Sequence, residues 1–305
     1  MGETETMTVG AAQWLCGHRT LDLSRVYVMG ILNVTPDSFS DGGRHLDLQT
    51  AVAHARAMAA DGAAIIDIGG ESTRPGAESV SADEELRRTL PVVEELRGDD
   101  LVLSIDTAKA RVARAALEAG AHIVNDVTGL GGDPDMAATV AEYGAGVVIM
   151  HMQGTPRTMQ IAPAYDDVVA DVAAFFESRR ALALRAGIAD EQIVFDPGMG
   201  FGKTLAHNLI LLRRLGEFLK LGRPILVGPS RKAFIGQLLG LGVNDRLEGT
   251  AAAVAAAVLA GASIVRVHDV RATSRVVRVS EAIHRSVPLA NARQCCAVSS
   301  GAMGV

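Results

Sequence analysis

Residues 101–124 read LVLSIDTAKARVARAALEAGAHIV and contain one complete copy of the pattern that organises this chain. An apolar run rich in Val, Leu and Ile leads into an Ala-rich stretch with charges on one face. A Gly then separates that stretch from a second apolar run. Gly directly after a helix adopts the left-handed conformation that ends it without steric cost. The segment therefore predicts a strand, a helix and a second strand, which is the unit of a parallel sheet.

The same alternation of strand and helix occurs eight times along the chain. The predicted strands are residues 26–32, 63–68, 101–105, 122–124, 146–150, 192–195, 224–227 and 263–267. The predicted helices are residues 48–60, 83–96, 110–119, 134–143, 166–186, 205–219, 244–260 and 272–285. Eight repeats are the number that closes a barrel, so we predict the α/β class and a single (β/α)8 TIM barrel.

The barrel domain is predicted to span residues 14–286, because no linker or change in composition divides the chain. Residues 1–13 and 287–305 lack periodicity and are expected to be flexible termini. We also expect the first twenty residues to add a strand or hairpin at the floor of the barrel.

Composition limits the kinds of partner. The chain has 305 residues and a formal net charge of −6, which argues against a nucleic-acid partner that needs a broad basic face. No apolar run is long enough for a transmembrane helix, and the first residues lack the pattern of a signal peptide. Cys16, Cys295 and Cys296 have neither disulfide nor zinc spacing. We expect a cytoplasmic protein that binds small molecules and neither nucleic acid nor membrane.

Polar and ionisable residues follow nearly every predicted strand. In a TIM barrel such positions gather at one mouth, where the C-terminal ends of the strands and the following loops build the active site. Strand ends are often polar simply because they reach the surface, which explains single positions better than a whole rim. The residues are Asn33, Glu71, Ser72, Thr73, Arg74, Asp106, Asn125, Asp126, His151, Asp196, Ser230, Arg231, Lys232, Arg266 and His268.

The last predicted strand has two cationic side chains on one face. Alternation places Arg266 and His268 on the same face as Ile264. If that face lines the barrel, a buried Arg needs a partner, which is either an anionic ligand such as a phosphate or a structural carboxylate. Asp106 and Asn125 can also face inward, and such a pair can recognise a ring that offers both donors and acceptors, such as a pterin.

The Gly-rich stretch DPGMGFGKT at residues 196–204 is not a nucleotide-binding loop. A P-loop requires Gly at the position of Pro197, and the dinucleotide fingerprint requires Gly at the position of Lys203. The stretch is better suited to lie close to a flat ligand. The chain also lacks HExxH, CxxC and GxSxG motifs, so zinc and hydrolytic chemistries have no support.

Eight segments, in order along about residues 14–285, resemble the dihydropteroate synthase family. They are MGILNVTPDSFSDGG (29–43), DIGGESTRPGA (67–77), SIDT (104–107), NDV (125–127), MHMQG (150–154), DPGMGFGK (196–203), GPSRK (228–232) and RVH (266–268). The resemblance implies a transferase of folate biosynthesis. Such an enzyme joins 6-hydroxymethyl-7,8-dihydropterin pyrophosphate to 4-aminobenzoate and releases dihydropteroate and pyrophosphate. It also implies a homodimer.

The resemblance further implies roles for individual residues. Hydrogen bonds to the pterin would come from Asp106, Asn125, Asp196 and Lys232. Arg266 would stack on the ring and, with Asn33, Thr73 and His268, hold the pyrophosphate. Mg2+ would bind the pyrophosphate with Asn33 as its protein ligand. The aminobenzoate pocket would be framed by Phe39, Pro75, Ser230 and Lys232. Asp41 and Arg74 would help to close the loops, and Phe201 of the Gly-rich stretch would also contact substrate.

The family's chemistry is dissociative: the C–O bond breaks first, and the arylamine then attacks a resonance-stabilised pterin cation. This implies that Mg2+ and cations at the pyrophosphate matter more than a strong base, because they act where charge develops. A carboxylate such as Asp41 could stabilise the cation. His268 is expected to donate a hydrogen bond to pyrophosphate and not to act as a general base.

Sulfonamides compete with aminobenzoate in this family. Phe39 and Pro75 are the ordinary family residues, so we expect a drug-sensitive enzyme, whereas Pro229 departs from the pattern beside the pocket. Two other functions stay open. A methyltransferase barrel that handles methyltetrahydrofolate would have less need of the Ser-Arg-Lys and Arg-x-His residues. A non-catalytic paralogue could lose the loops after the first two strands.

Overall fold

Eight parallel strands form the centre of the molecule in a computed structural model that describes residues 13–34, 44–74 and 76–285. They are β3 (Tyr27–Asn33), β4 (Ile65–Gly69), β5 (Val102–Asp106), β6 (Ile123–Asp126), β7 (Gly146–Met150), β8 (Ile193–Asp196), β9 (Leu226–Val227) and β10 (Ile264–Val267). Their order is β8-β7-β6-β5-β4-β3-β10-β9. The amide of Phe195 donates to the carbonyl of Pro224 at 3.0 Å and closes the ring. The predicted TIM barrel is confirmed.

Nine α-helices surround the barrel in the part of the chain that the structure describes. They are α1 (Arg44–Ala60), α2 (Ala82–Leu96), α3 (Ala110–Ala119), α4 (Met136–Glu142), α5 (Val168–Arg185), α6 (Leu205–Arg213), α7 (Ala233–Leu239), α8 (Leu247–Leu259) and α9 (Val270–Arg285). Every parallel strand precedes at least one of them. Within these ranges, no helix combines the length and the apolarity that crossing a membrane requires.

Two helices differ from the prediction. The predicted helix at 205–219 ends at Arg213 and continues as a 3-10 helix, Leu215–Leu221, because Gly216 weakens the α-helix there. The helix α7 was not predicted. It has seven residues with Gly236 in its interior, which is too short for a clear helical pattern.

The alternation of side chains along the strands separates two apolar regions. Ile264 belongs to a cluster inside the barrel, whereas Val265 and Val267 pack with the residues that face the helices. Arg266, which alternation places on the same face as Ile264, therefore points into the barrel interior. The inner cluster near the strand starts contains Met29, Ile65, Val102, Ile123, Val148, Val194 and Leu226.

A two-stranded antiparallel hairpin closes the floor of the barrel. It consists of β1 (Gln13–Cys16) and β2 (Arg19–Asp22). The indole of Trp14 is completely buried against the inner cluster and donates from Nε1 to the carbonyl of Gln192 at 2.8 Å. The predicted floor hairpin is confirmed. The predicted flexible termini lie almost wholly outside the described residues and stay a prediction, as does any role for Cys295 and Cys296.

Replacing Trp14 by alanine is expected to lower the free energy of unfolding by about 3–5 kcal/mol, because it leaves a large cavity. Urea unfolding measures the loss. The folded fraction should keep its Michaelis constants, since Trp14 lies at the end opposite the strand ends. A Val279→Ala control, at an exposed site, should change the free energy by less than about 0.5 kcal/mol. A loss for Trp14→Ala as small as that of the control would contradict the assigned role.

Candidate active site

The guanidinium of Arg266 lies between two carboxylates at the mouth of the barrel. Its Nε donates to Asp67 Oδ2 at 2.5 Å, and its Nη2 donates to Asp106 Oδ2 at 2.6 Å. The exposed fractions of the three side chains are 18%, 0% and 9% for Arg266, Asp67 and Asp106. Burial alone would lower the pKa of Arg266, but the two carboxylates hold it above its ordinary value. The sequence left open whether Arg266 pairs with an anionic ligand or with a structural carboxylate, and in the structure it pairs with the carboxylates of Asp67 and Asp106.

Asp67 is a site residue that the sequence analysis missed. It lies in the middle of β4 and accepts from Nδ2 of Asn125 at 2.9 Å with the same oxygen that binds Arg266. Its other oxygen, Oδ1, is buried without a hydrogen-bond partner among the described residues. Its position inside a strand separates it from the polar residues at the strand ends. An acid inside an otherwise apolar strand, IIDIG, was the signal that could have found it.

Three predicted pterin-binding residues come together around Arg266. Asp106 and Asn125 are paired in the register of β5 and β6, and Asp196 ends β8. Burial raises the pKa of Asp106 above its ordinary value, although Arg266 opposes the shift. Burial also raises the pKa of Asp196 to about 6, opposed by the amide of Gly198, which donates to Oδ1 at 2.8 Å. Asp196 can therefore change protonation in the slightly acidic range.

Lys232 and Phe201 form one wall of the mouth. The ammonium of Lys232 lies 3.9 Å from the centroid of the Phe201 ring, within cation–π distance. Gly200 has a φ of +81°, and a Cβ there would lie 3.2 Å from Lys232 Cδ, so this position suits glycine on both counts. Burial and the neighbouring Arg266 lower the pKa of Lys232 to about 8.

Ser230 and His268 are joined by two hydrogen bonds. Ser230 Oγ lies 3.0 Å from His268 Nδ1, and it accepts from the amide of His268 at 3.2 Å. An oxygen that accepts from the amide can donate its own proton to Nδ1, an arrangement that favours the tautomer with the proton on Nε2. Burial, followed by the charge of Arg266, lowers the pKa of His268 to about 3. His268 is therefore a neutral hydrogen-bond donor at physiological pH.

The remaining residues with a predicted role toward substrate or metal lie at the rim or outside the described residues. Asn33 ends β3 and is half-buried, as is Thr73, whereas Arg74 is exposed. The positive charge of Arg74 contributes to lowering the pKa of Lys232, which places it near the mouth. Phe39, Asp41 and Pro75 lie outside the described residues, so their roles stay predictions.

Comparisons with known proteins identify the family. A family described as pterin binding enzyme matches residues 29–268, which contain the whole site described above. The dihydropteroate synthase of Escherichia coli strain K12 is 53% identical over 264 residues, which cover 86% of this chain and 93% of that protein. The chain belongs to the dihydropteroate synthase family. It is a transferase, and the resemblance seen in its eight segments is confirmed.

Solved structures of family members agree with the fold. The Yersinia pestis dihydropteroate synthase, solved with a sulfonamide drug, is 48% identical with a TM-score of 0.85 and covers 90% of this chain and 100% of that one. The Xanthomonas albilineans dihydropteroate synthase, solved with 4-aminobenzoic acid, is 47% identical with a TM-score of 0.85. The match covers 92% of this chain and 100% of that one. The matches do not favour the methyltransferase hypothesis.

Proposed function

We propose that the mouth of the barrel binds the dihydropterin pyrophosphate with its ring beside Arg266 and its pyrophosphate toward His268, and that 4-aminobenzoate enters beside Lys232 and Phe201. The observation that carries this proposal is the buried network of Arg266, Asp67 and Asp106. A flat guanidinium held by carboxylates on a barrel wall offers a surface on which a flat ring can stack. The other cations and donors of the site stand on the same rim.

The acids and the amide beside Arg266 suit a pterin ring. Asp106 and Asp196, when ionised, accept hydrogen bonds from ring N–H groups. The side-chain amide of Asn125 has a fixed orientation, because its Nδ2 donates to Asp67. An ionised carboxylate accepts hydrogen bonds and donates none, so the nitrogen of the amide, and not its oxygen, faces Asp67. Asn125 therefore has one N–H and its carbonyl left for a ligand. Donors and acceptors on the same wall match the edge of a pterin ring, which also carries both hydrogen-bond donors and acceptors.

Affinity for the pterin is expected to weaken as the pH falls from 8 to 5. The ionised carboxylates are the form that accepts from the ring. Burial raises the pKa of Asp196 to about 6 and also raises the pKa of Asp106. Below its pKa each carboxyl is already protonated in the free protein and must lose that proton before the ligand can bind. This lowers affinity by up to about tenfold per pH unit and per group.

Fluorescence titration with a dihydropterin, corrected for the ligand's own titration, measures this effect. Asp196→Asn should bind more weakly at pH 8 and depend less on pH. Asp190→Asn serves as the control, because Asp190 pairs with Arg180 away from the mouth. A wild-type affinity that is constant over the whole range would contradict the proposed binding mode.

The pyrophosphate is proposed to lie among Asn33, Thr73 and His268, where the proton on Nε2 of His268 can be donated to a phosphate oxygen. The resemblance implies Mg2+ as well. The amide oxygen of Asn33 is a hard ligand of the kind that Mg2+ accepts, and Mg2+ commonly takes its other ligands from substrate phosphates and water. Asn33 thus fits an ion carried by the substrate. When bound, the ion would neutralise charge on the departing pyrophosphate.

The proposed reaction begins with cleavage of the C–O bond, whose electron pair leaves with the pyrophosphate. The amine of 4-aminobenzoate then forms the C–N bond to the pterin cation, and its extra proton passes to water. The residues support this order, because the site has hydrogen-bond donors and cations for the leaving group, whereas burial lowers the pKa of His268 to about 3 in the protein without substrate. Ionised Asp106 and Asp196 lie where they can stabilise positive charge on the ring.

Positional isotope exchange tests the order of bond changes. If the C–O bond breaks first, an 18O label in the bridging position should move into non-bridging positions of recovered substrate when 4-aminobenzoate is absent. If the two substrates together form product but the label does not move when 4-aminobenzoate is omitted, the result would support concerted displacement instead.

Further properties extend this proposal. Since the Yersinia pestis and Xanthomonas albilineans relatives were solved with a sulfonamide drug and with 4-aminobenzoic acid, we propose that both ligands bind beside Lys232 in this chain. The family resemblance also supports a cytoplasmic homodimer. Four large apolar side chains that stand exposed along α7, the connection after it and the start of α8 offer a surface for a second copy: Leu238, Leu239, Val243 and Leu247.

A further inference from the structure

The carboxylate of Glu71 joins the two ends of the segment that follows β4. Its Oε1 accepts from the amide of Val80 at 3.3 Å, so the side chain at the start of the segment binds the backbone at its end. Its Oε2 accepts from the ammonium of Lys109. One side chain thus closes residues 71–80 into a loop and also attaches that loop to the next βα connection.

Lys109 carries the attachment into the helical layer. It precedes α3, and its Nζ also donates to Glu85 Oε2 at 2.5 Å. Glu85 lies on α2 and is completely buried. Burial disfavours the charge of Lys109, but the hydrogen bonds that it donates to Glu71 and Glu85 outweigh this effect and raise the pKa of Lys109. The ammonium therefore stays charged and bridges a loop carboxylate and a buried helix carboxylate.

Two further contacts fix the loop at its base and its tip. At the base, the Nη1 of Arg88 on α2 donates to the carbonyl of Gly70 at 2.8 Å. A Cβ on Gly70 would lie 2.8 Å from Thr89 Cγ2, so the backbone is pressed against α2. At the tip, the amide of Gly76 donates to the carbonyl of Pro156 at 3.1 Å. The loop is thus attached to α2 at its base and to the connection between β7 and α5 at its tip.

We infer that Glu71 is a positioning residue for the reaction: by closing residues 71–80 and tying them through Lys109 to α2, it sets where Thr73 and Arg74 stand at the mouth. Glu71 need not touch either substrate, since both of its oxygens are already engaged. The inference rests on the proposed function, because it takes Thr73 and Arg74 to face the substrates. A displacement of about 1 Å in such groups can cost about 100-fold in rate.

Glu71→Gln tests the inference without disturbing the fold, because it keeps the side-chain volume and leaves Lys109 paired with buried Glu85. We expect kcat/KM for 4-aminobenzoate to fall about 10- to 100-fold. The dissociation constant of a dihydropterin and the melting temperature should remain close to wild type. Glu71→Asp, which keeps the charge on a shorter side chain, should give an intermediate loss. Asp83→Asn, which removes the exposed pair of Asp83 with Arg111, should match wild type.

Hydrogen exchange at residues 71–80 supplies a readout that does not depend on activity. The amide of Val80 should exchange faster in Glu71→Gln than in wild type or in Asp83→Asn. Unchanged kinetics in Glu71→Gln would overturn the inference, whether or not exchange is faster. If the dihydropterin affinity and the melting temperature fall together with the rate, the inference is also overturned, because Glu71 would then act on the whole fold. If the wild-type protein forms no product, the proposed function fails. Hydrogen exchange at Val80 still shows in that case whether Glu71 holds the two ends of the loop together.

Discussion

Replacing Arg266 by methionine is expected to lower kcat/KM for dihydropteroate formation by about 1,000-fold, the upper range for removing one charged stabilising group from an active site. The variant loses the flat cation proposed to stack on the ring. It also leaves Asp67 and Asp106 without their shared partner. Steady-state kinetics with the concentration of each substrate varied in turn measures the loss.

The same variant should be less stable, because removing one partner of a buried ion pair typically costs about 3–5 kcal/mol. Activity is therefore compared on protein whose folded fraction is known from urea unfolding. Arg214→Met is a suitable control, since Arg214 pairs with Asp167 and Glu217 outside the mouth. If Arg266→Met keeps a kcat/KM within tenfold of the control, Arg266 is not central to the reaction.

Asp67→Asn is expected to lower kcat/KM by about 100-fold, the lower range for an active-site group. The substitution keeps the shape of the side chain but removes its charge. Oδ2 of Asp67 accepts from both Arg266 and Asn125, and an amide oxygen offers each of them a weaker bond. Both side chains should lose their fixed orientation, so the affinity for a dihydropterin should fall together with the rate.

Asp61→Asn provides the matched control for Asp67→Asn. Asp61 lies at the end of the preceding helix and makes a long contact of 4.0 Å with Arg271, so its variant should behave as wild type. Dissociation constants for the dihydropterin and kcat are measured for both variants. Values for Asp67→Asn within threefold of those for the control would show that Asp67 does not orient the site.

Much of the fold could be predicted from the sequence because the strands and helices repeat with clear periods. The predicted strand at 146–150 and the helix at 110–119 agree with β7 and α3. The helix α7 could not be predicted in the same way. Its seven residues contain Gly236, and what holds it is the burial of Phe234 and Ile235, a tertiary contact that no local pattern reveals.

The site was predictable in part. Alternation placed Arg266 on the same face as Ile264, but the sequence could not show which way that face points or what stands across the barrel, since Asp67 is 199 residues away in the chain. The bridge from Glu71 through Lys109 to Glu85 likewise joins three separate segments. The match of Asp106 and Asn125 to a pterin followed from their chemistry, whereas the assignment of the second substrate depended on the family resemblance.

The most direct test of the central claim is a reaction of the purified protein with 6-hydroxymethyl-7,8-dihydropterin pyrophosphate, 4-aminobenzoate and Mg2+. Dihydropteroate and pyrophosphate are measured together, with each component omitted in turn and with a sulfonamide added. We expect equal amounts of the two products, dependence on both substrates and inhibition by the sulfonamide. Protein that binds the pterin but forms no dihydropteroate would contradict the account and would indicate a non-catalytic pterin-binding paralogue.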